Sequence, residues 1–517
     1  MAIACLFTLL SCKPCALVLR GPWPTAFLVF RSDPTPTSSP STTSNVPADG
    51  LPLPQRRKAI FVILLGITLV VLDGTIVTLA LPSIANAFGV TASTSVWIIT
   101  SYQLAVLGLL LPMASLGERF GYRQVYLGGM ALFAVASALC FVSQAFWHLV
   151  LCRVAQGLAG AAVMGVNAAL VRQTYPSHLL GRGIALNAVT VAIASVAGPS
   201  LAALILSVAD WPWLFAINVP LAIVTIVLGR HHLPVSMPTQ HQRFSSLDWV
   251  LNIAAFGLIF WAFDGLITHG FANGQLTDSG QISAAALAAS LVLWIWYVRR
   301  QRKLATPLLP LDLLRIPAFS LSMGASICAF SSQMLAFIAL PFLSLSILQQ
   351  SPFETGILVS VWPIAIAMTA PFAGRLIGRV PGASLGLFGM VTLAVGLGAM
   401  AAMPLYAEMH WRILALLLCG IGFGLFQAPN NHIILTVGPK HRSGAAGGML
   451  GTARLTGQSL GAALAAGLFA FYPPPAATHG PQWAFAVAAV CALMAGISSI
   501  LRKPAVPAAA DQGTIKT

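Results

Sequence analysis

Apolar runs of about 20 residues recur along the chain from Lys58 to Leu501, separated by short polar breaks. A run of that length carries a helix across the hydrocarbon core of a bilayer. The pattern predicts fourteen spanning helices, roughly over 60–82, 96–116, 124–143, 147–169, 183–206, 212–229, 247–267, 283–299, 319–341, 354–374, 383–403, 411–430, 444–471 and 482–501. The short alternating segments of a transmembrane barrel are absent from the sequence. Before residue 56 the pattern breaks down. Residues 1–30 are patchily apolar and are cut by Lys13, Pro14, Pro22 and Pro24, while 31–54 are rich in Ser, Thr and Pro. Residues 1–55 are expected to be a disordered tail, or an extension from a start codon placed too far upstream.

The breaks carry the charge. Setting the flank Gln55–Lys58 in the cytoplasm and alternating from there puts 21 Lys and Arg residues on the cytoplasmic side, with only Arg412 on the other. Miscounting one span would scramble that asymmetry, so the positive-inside rule supports fourteen spans with both ends inside. The expected place is the cytoplasmic membrane.

Composition agrees with this class. Of 517 residues, 57% are hydrophobic and 8% charged, and the mean hydropathy is +0.86. A water-soluble domain carries about 25% charged residues. The net charge of +15 does not point to nucleic acid, because the basic residues lie in short loops rather than on a soluble domain. The partners expected are a small-molecule substrate, protons and the lipid bilayer.

Two stretches return later in the chain. Pro112–Arg123 (PMASLGERFGYR) closes the second span, and Pro371–Gly382 (PFAGRLIGRVPG) closes the tenth. Gly198–Ala203 (GPSLAA) in the fifth span returns as Gly457–Ala462 (GQSLGA) in the thirteenth. Spans one to six therefore repeat as nine to fourteen. This gives a half over 56–230, two inserted helices with their linkers over 231–318, a second half over 319–503 and a short tail over 504–517. Parallel repeats of six spans suit a transporter with its site at mid-depth between the halves.

Four motifs carry a family resemblance. They are Leu72–Pro82 (LDGTIVTLALP), Ala114–Arg123 (ASLGERFGYR), Arg153–Ala162 (RVAQGLAGAA) and Ala197–Ile205 (AGPSLAALI). In that order the chain, over about 56–505, resembles the major facilitator superfamily, in particular its fourteen-span drug:proton antiporter branch. Ala114, Glu118 and Tyr122 depart from the loop motif, and Ala202 and Ala203 stand where the fifth-span motif has glycines. The resemblance implies the all-α major facilitator fold, with two inserted helices. It also implies a proton-coupled exporter of lipophilic, cationic compounds that works by alternating access.

Asp73 is the one acidic residue near the middle of a span, with Asp264 near the outer end of the seventh. A carboxylate inside the membrane marks a functional site by default, because it is costly unless it is used or paired. It could take and release a proton, face a cationic substrate, or serve as a structural hydrogen-bonding group. Arg153 lies a third of the way along the fourth span, within snorkelling reach of the cytoplasmic face. The resemblance links it, with Gln156 and Gly157 beside it, to proton coupling; a structural pair is the alternative. Arg454 in the thirteenth span has no embedded acid in its own half, so it either faces the cavity or snorkels.

The loop Gly117–Arg123 is expected to act as a conformational latch. Glu118 would accept from Arg119, Arg123 or a neighbouring helix end, and Gly121 would allow the tight turn. Gly198 and Pro199 are expected to bend the fifth span and to let another helix come close. Of the polar residues within spans, Gln103, Asn167, Asn187, Asn218, Gln333, Gln427, Asn430 and Gln458, most are expected to bond between helices and a minority to line a cavity. Trp97, Trp362, Phe330, Phe337 and Phe426 could offer aromatic surface to a cation, although core placement suits each of them as well.

The sequence has no Walker loop, HExxH or nucleophile elbow, so neither ATP-driven transport nor these enzyme classes fit. Cys12 and Cys15 form a lone CxxC without a second pair. No cofactor or metal is expected. The rival roles are a metabolite exporter or uptake carrier on the same fold, and a membrane receptor that moves nothing.

Overall fold

The computed structural model describes residues 50–235, 246–269, 271–272, 275–304, 309–377, 379–405, 407–438, 443–473 and 479–502. Of the expected tail over 1–55, residues 1–49 lie outside them, as do Cys12, Cys15 and the tail over 504–517, whereas Leu53–Gln55 already belong to the first helix. Among the described residues the apolar runs form fourteen long helices. In the N-terminal half these are α1 (Leu53–Phe88), α2 (Trp97–Phe120), α3 (Tyr122–Phe141), α4 (Phe146–Thr174), α5 (Leu180–Leu206) and α6 (Asn218–His232). The inserted pair is α7 (Ser246–His269) and α8 (Asp278–Gln301), joined through a minimal hairpin of Phe271–Ala272 and Gln275–Leu276. The C-terminal half holds α9 (Pro317–Pro341), α10 (Pro352–Leu376), α11 (Gly382–Ala402), α12 (Met409–Thr436), α13 (Ser443–Phe471) and α14 (His479–Ile500).

Helices are forced here because lipid offers no partner to an open backbone group. Their ends follow local chemistry. Pro52 precedes α1, and Gly89 ends it in the left-handed region at φ 62°, with its N–H on the Ala85 and Asn86 carbonyls. α10 opens with a capping box between Ser351 and Glu354. Among the described residues, thirteen helices are long and apolar enough to cross a membrane. The exception is α13. It forms a helix of 29 residues in the place expected, but Arg454 and Gln458 lie on it and it falls outside that set.

The basic residues cluster at one end of the bundle, where α1 begins and α2 ends; the other end is called the far end below. Among the described residues the largest core cluster joins the two halves at the far end, and a smaller one around Tyr102 and Leu455 joins them at mid-depth. At the far end Ile76, Leu81 and Ile84 of α1 and Ala202 and Ala203 of α5 join one apolar cluster with Leu335 and Leu340 of α9 and Leu358 and Trp362 of α10. Toward the basic end the core divides. One cluster holds Ile63, Tyr126, Phe133, Val166 and other residues of the N-terminal half. The other centres on Phe319, Met323, Ile434 and Met449, and from the N-terminal half only Leu111 packs against it.

The halves meet along two seams. At one, α5 lies on α10: Ser200 Oγ and Ser360 Oγ are 2.8 Å apart, and a Cβ on Gly356 would overlap Ala203. At the other, α2 lies on α13, and α7 packs over both. Asn252 Nδ2 on α7 donates to the Gly108 carbonyl of α2 at 2.7 Å. Toward α13, α7 offers apolar surface, with Phe256 and Phe260 clustered with Leu455. α8 is tied to α7 by a ladder of polar contacts. Arg300 pairs with Asp248 at 2.7 Å, Tyr297 donates to Asn252 Oδ1 at 3.0 Å, and Trp294 Nε1 donates to the Ala255 carbonyl at 3.0 Å.

Candidate functional site

Asp73 sits near the middle of α1 and is fully buried. Arg153 Nη1 reaches its Oδ2 at 2.6 Å. Asn218 Nδ2, at the start of α6, donates to Oδ1 at 2.7 Å, and Gln156 Nε2 approaches the same oxygen at 3.4 Å. Gln156 lies one turn beyond Arg153 and accepts from Arg153 Nη1 at 2.7 Å on Oε1. Its amide also donates to Ser137 Oγ of α3 at 2.7 Å, and its Oε1 accepts from Cys140 Sγ at 3.3 Å. One ion pair with its polar shell therefore ties α1, α3, α4 and α6 together.

The guanidinium is held on two further sides. Arg153 Nε donates to the Ile98 carbonyl of α2 at 3.2 Å, and its charge lies 4.2 Å from the ring centre of Tyr102. The Tyr102 hydroxyl donates to the Val70 carbonyl at 3.2 Å, which clips α2 to α1. Glycine makes these approaches possible. A Cβ at Gly157 would crowd the Tyr102 carbonyl at 2.5 Å, and one at Gly160 would stand 3.0 Å from the Tyr102 hydroxyl.

Two expectations from the sequence change here. Arg153 does not snorkel. α4 enters the bundle from the far end, so the face nearer Arg153 is not the basic one, and the side chain is 1% exposed because its partner lies inside. Asp73 is not open to the space between the halves, since every partner it makes belongs to the N-terminal half. The sequence also missed Tyr102 and Ser137. A tyrosine that needs a hydrogen-bond partner inside an apolar run was the available signal for the first.

The loop after α2 keeps its shape but not the pairing expected of it. Gly121 has φ 96°, a region open to glycine. Gly117 leaves no room for a Cβ beside Val166 and Tyr122. Arg123 donates to the Arg230 carbonyl at the end of α6, and Arg119 lies over Phe120. Glu118 is half-buried and makes no hydrogen bond or ion pair among the described residues. The arginines thus turn to a helix end and a ring instead of to Glu118.

Gly198 and Pro199 lie within α5. A Cβ on Gly198 would overlap Thr75 Oγ1, so α5 touches α1 just past Asp73. Arg454 lies near the middle of α13, half-buried, with no hydrogen bond or ion pair among the described residues, and its Nε is unsatisfied. The other polar residues mostly bond between helices. Asn167 donates to Asn187 at 2.9 Å, and Asn430 donates to Ser326 Oγ at 2.7 Å. The aromatic residues of the C-terminal half form an edge-to-face chain through Phe337, Trp362 and Phe423, with Phe330 and Phe426 also against Phe423. They belong to the far-end core.

Comparison with known proteins sets this site in a family. The chain matches the Major Facilitator Superfamily model over residues 63–462, and again over 326–515. It is 45% identical over 458 residues to the uncharacterized transporter YebQ of Escherichia coli (strain K12), covering 88% of this chain and 98% of that protein. It is 30% identical over 418 residues to the multidrug efflux pump LfrA of Mycolicibacterium smegmatis, covering 80% and 81%. It is 26% identical over 417 residues to the riboflavin transporter RibZ of Clostridioides difficile, covering 80% and 89%. Among solved structures it resembles a bacterial homologue of the human lysosomal transporter Spinster, with a TM-score of 0.60 at 15% identity over 87% of this chain and 97% of that one. The fold and the length of these matches agree: this multi-pass membrane chain belongs to the major facilitator superfamily, a family of transporters rather than enzymes.

Proposed function

We propose that the chain is a proton-coupled exporter of lipophilic compounds, set in the cytoplasmic membrane with both termini inside. The observation that carries this reading is the buried pair of Asp73 and Arg153, which joins α1 to α4 at mid-depth. Protonation of Asp73 removes the charge that Arg153 answers and frees a guanidinium held by Ile98 and Tyr102. α1 also touches α5 at Gly198 and is clipped to α2 by the Tyr102 hydroxyl, so a shift of α1 is felt at both seams. Proton binding then biases one of two arrangements of the halves, and substrate biases the other. A core joined at the far end and divided at the basic end suits the arrangement open to the cytoplasm.

Relatives named for multidrug efflux and for tetracenomycin C export support the direction of transport. A potential of 100 mV supplies about 2.3 kcal/mol per charge moved. The sign of the substrate's charge does not carry over from the sequence, because the one carboxylate at mid-depth of either half is already paired. The test is dye accumulation in everted membrane vesicles, with an imposed pH gradient and after its collapse. The reading expects uptake that needs the gradient in the wild type and uptake lost in Asp73→Asn at equal protein level. Gradient-driven uptake unchanged in Asp73→Asn sinks it.

A further inference from the structure

Arg454 is a charge embedded in a span, apart from the pair of Asp73 and Arg153, that makes no hydrogen bond or ion pair among the described residues. Its direction follows from helix geometry. On α13 a Cβ at Gly451 would lie 3.4 Å from Leu110 of α2, and one at Gly457 would press on the Ile327 carbonyl of α9 at 2.5 Å. Arg454 stands three residues from each. At about 100° per residue, it points midway between those two directions, which is the space between the halves rather than lipid.

Exposure supports the same placement. From Gly448 to Phe469 no residue of α13 is exposed, because α2, α7, α9, α12 and α14 surround it. Arg454 nonetheless keeps open surface while its neighbours Ala453 and Leu455 are buried. That surface therefore opens inward. It lies where the far-end core stops and the separate cores of the basic end begin.

Among the described residues Arg454 has no charged partner, and Asp264 of α7 is engaged elsewhere. The acidic residues of the C-terminal half are Glu354 and Glu408, one capping the start of α10 and the other exposed beside His410. Asp73 is committed to Arg153, Asn218 and Gln156. A guanidinium in a protein interior without a counter-charge is costly, and truncating one side of a buried pair exposes that cost. Here no partner exists among the described residues, so the group is poised for one that arrives. A guanidinium fork best fits a planar oxyanion, which it can grip with two parallel hydrogen bonds. Leu455, the next residue of α13, shares an apolar cluster with Tyr102 and Phe256.

We propose that Arg454 binds a carboxylate, or an oxyanion like it, on the transported compound, so that the substrate is an amphipathic anion or zwitterion. This rests on the transporter reading for its cargo, but the binding site can be tested without transport. The test uses two xanthene dyes of opposite charge, fluorescein and rhodamine 123, with the purified full-length protein in detergent. Fluorescence anisotropy reads binding, and a thermal melt of each variant reads folding. The wild type should bind fluorescein more tightly than rhodamine 123. Arg454→Gln should weaken fluorescein at least ten-fold, leave rhodamine 123 unchanged and melt no lower than the wild type, and Arg454→Lys should recover part of the loss. Preference for rhodamine 123, absence of fluorescein binding, or fluorescein binding indifferent to Arg454→Gln overturns the proposal. Fluorescein binding that depends on Arg454 without gradient-driven movement of either dye would instead strike at the exporter reading and leave the anion site standing.

Discussion

The guanidinium of Arg153 lies 4.2 Å from the ring centre of Tyr102, and the same ring belongs to the cluster that meets Leu455 of α13. Tyr102 therefore stands as a wall between the ion pair of the N-terminal half and the seam with the C-terminal half. Tyr102→Phe keeps the ring and loses only the hydrogen bond to Val70, whereas Tyr102→Leu removes the cation–π contact, worth about 0.5–2 kcal/mol. Transport should fall more in the leucine variant than in the phenylalanine one. Equal transport in both would remove the wall from the mechanism.

The ion pair should announce itself in stability. Asp73→Ala leaves Arg153 buried without its counter-charge, a loss of about 3–5 kcal/mol. The melting temperature in detergent should drop sharply for this variant, and the double variant Asp73→Ala with Arg153→Met should regain much of it. A double variant no more stable than the single one contradicts the pairing.

Close approach of α5 to α1 should be sensitive to one methyl group. Gly198→Ala places a carbon on Thr75 Oγ1, and overpacking of this kind costs about 1–3 kcal/mol. Adding Thr75→Ala in the same chain removes the clashing oxygen and should restore part of the loss in thermal stability. No recovery would mean that the strain lies elsewhere.

The far-end seal can be locked. Ser200 and Ser360 face each other with their hydroxyls 2.8 Å apart, so cysteines at both positions have side chains near disulfide reach. Oxidation of the double variant should stop transport, and reductant should restore it, while each single variant stays active under both conditions. Crosslinking without any loss of transport would show that this seam does not have to open.

How much of this was legible in the sequence depends on what each inference required. Span number and helix direction follow from one-dimensional patterns, apolar length and charge asymmetry, and the fourteen helices lie where those patterns put them. α13 shows the limit of hydropathy taken alone, since Arg454 and Gln458 lower its apolar character although protein surrounds it. Asp73 was conspicuous as a lone mid-span acid. Its partners were not, because Arg153 and Asn218 are 80 and 145 residues away and a helical period fixes a face without saying which helix it meets. For Arg153 a pair is among the readings the sequence offers, but snorkelling toward the basic face puts it at the wrong depth, because α4 enters from the far end and the side chain turns inward to Asp73. Glu118 errs the other way. Neighbours in sequence suggested a pair, but Arg123 instead reaches the Arg230 carbonyl at the end of a different helix.

The inserted pair makes the two seams unequal. Among the described residues α7 is hydrogen-bonded to α2 from Asn252 to the Gly108 carbonyl and meets α13 through the apolar cluster of Phe256, Phe260 and Leu455, so in the proposed transport cycle it would travel with the N-terminal half. It also covers the α2–α13 side, whereas among the described residues no extra helix covers the α5–α10 side. On the proposed exporter reading, a lipid-soluble compound would have its lateral way in between α5 and α10.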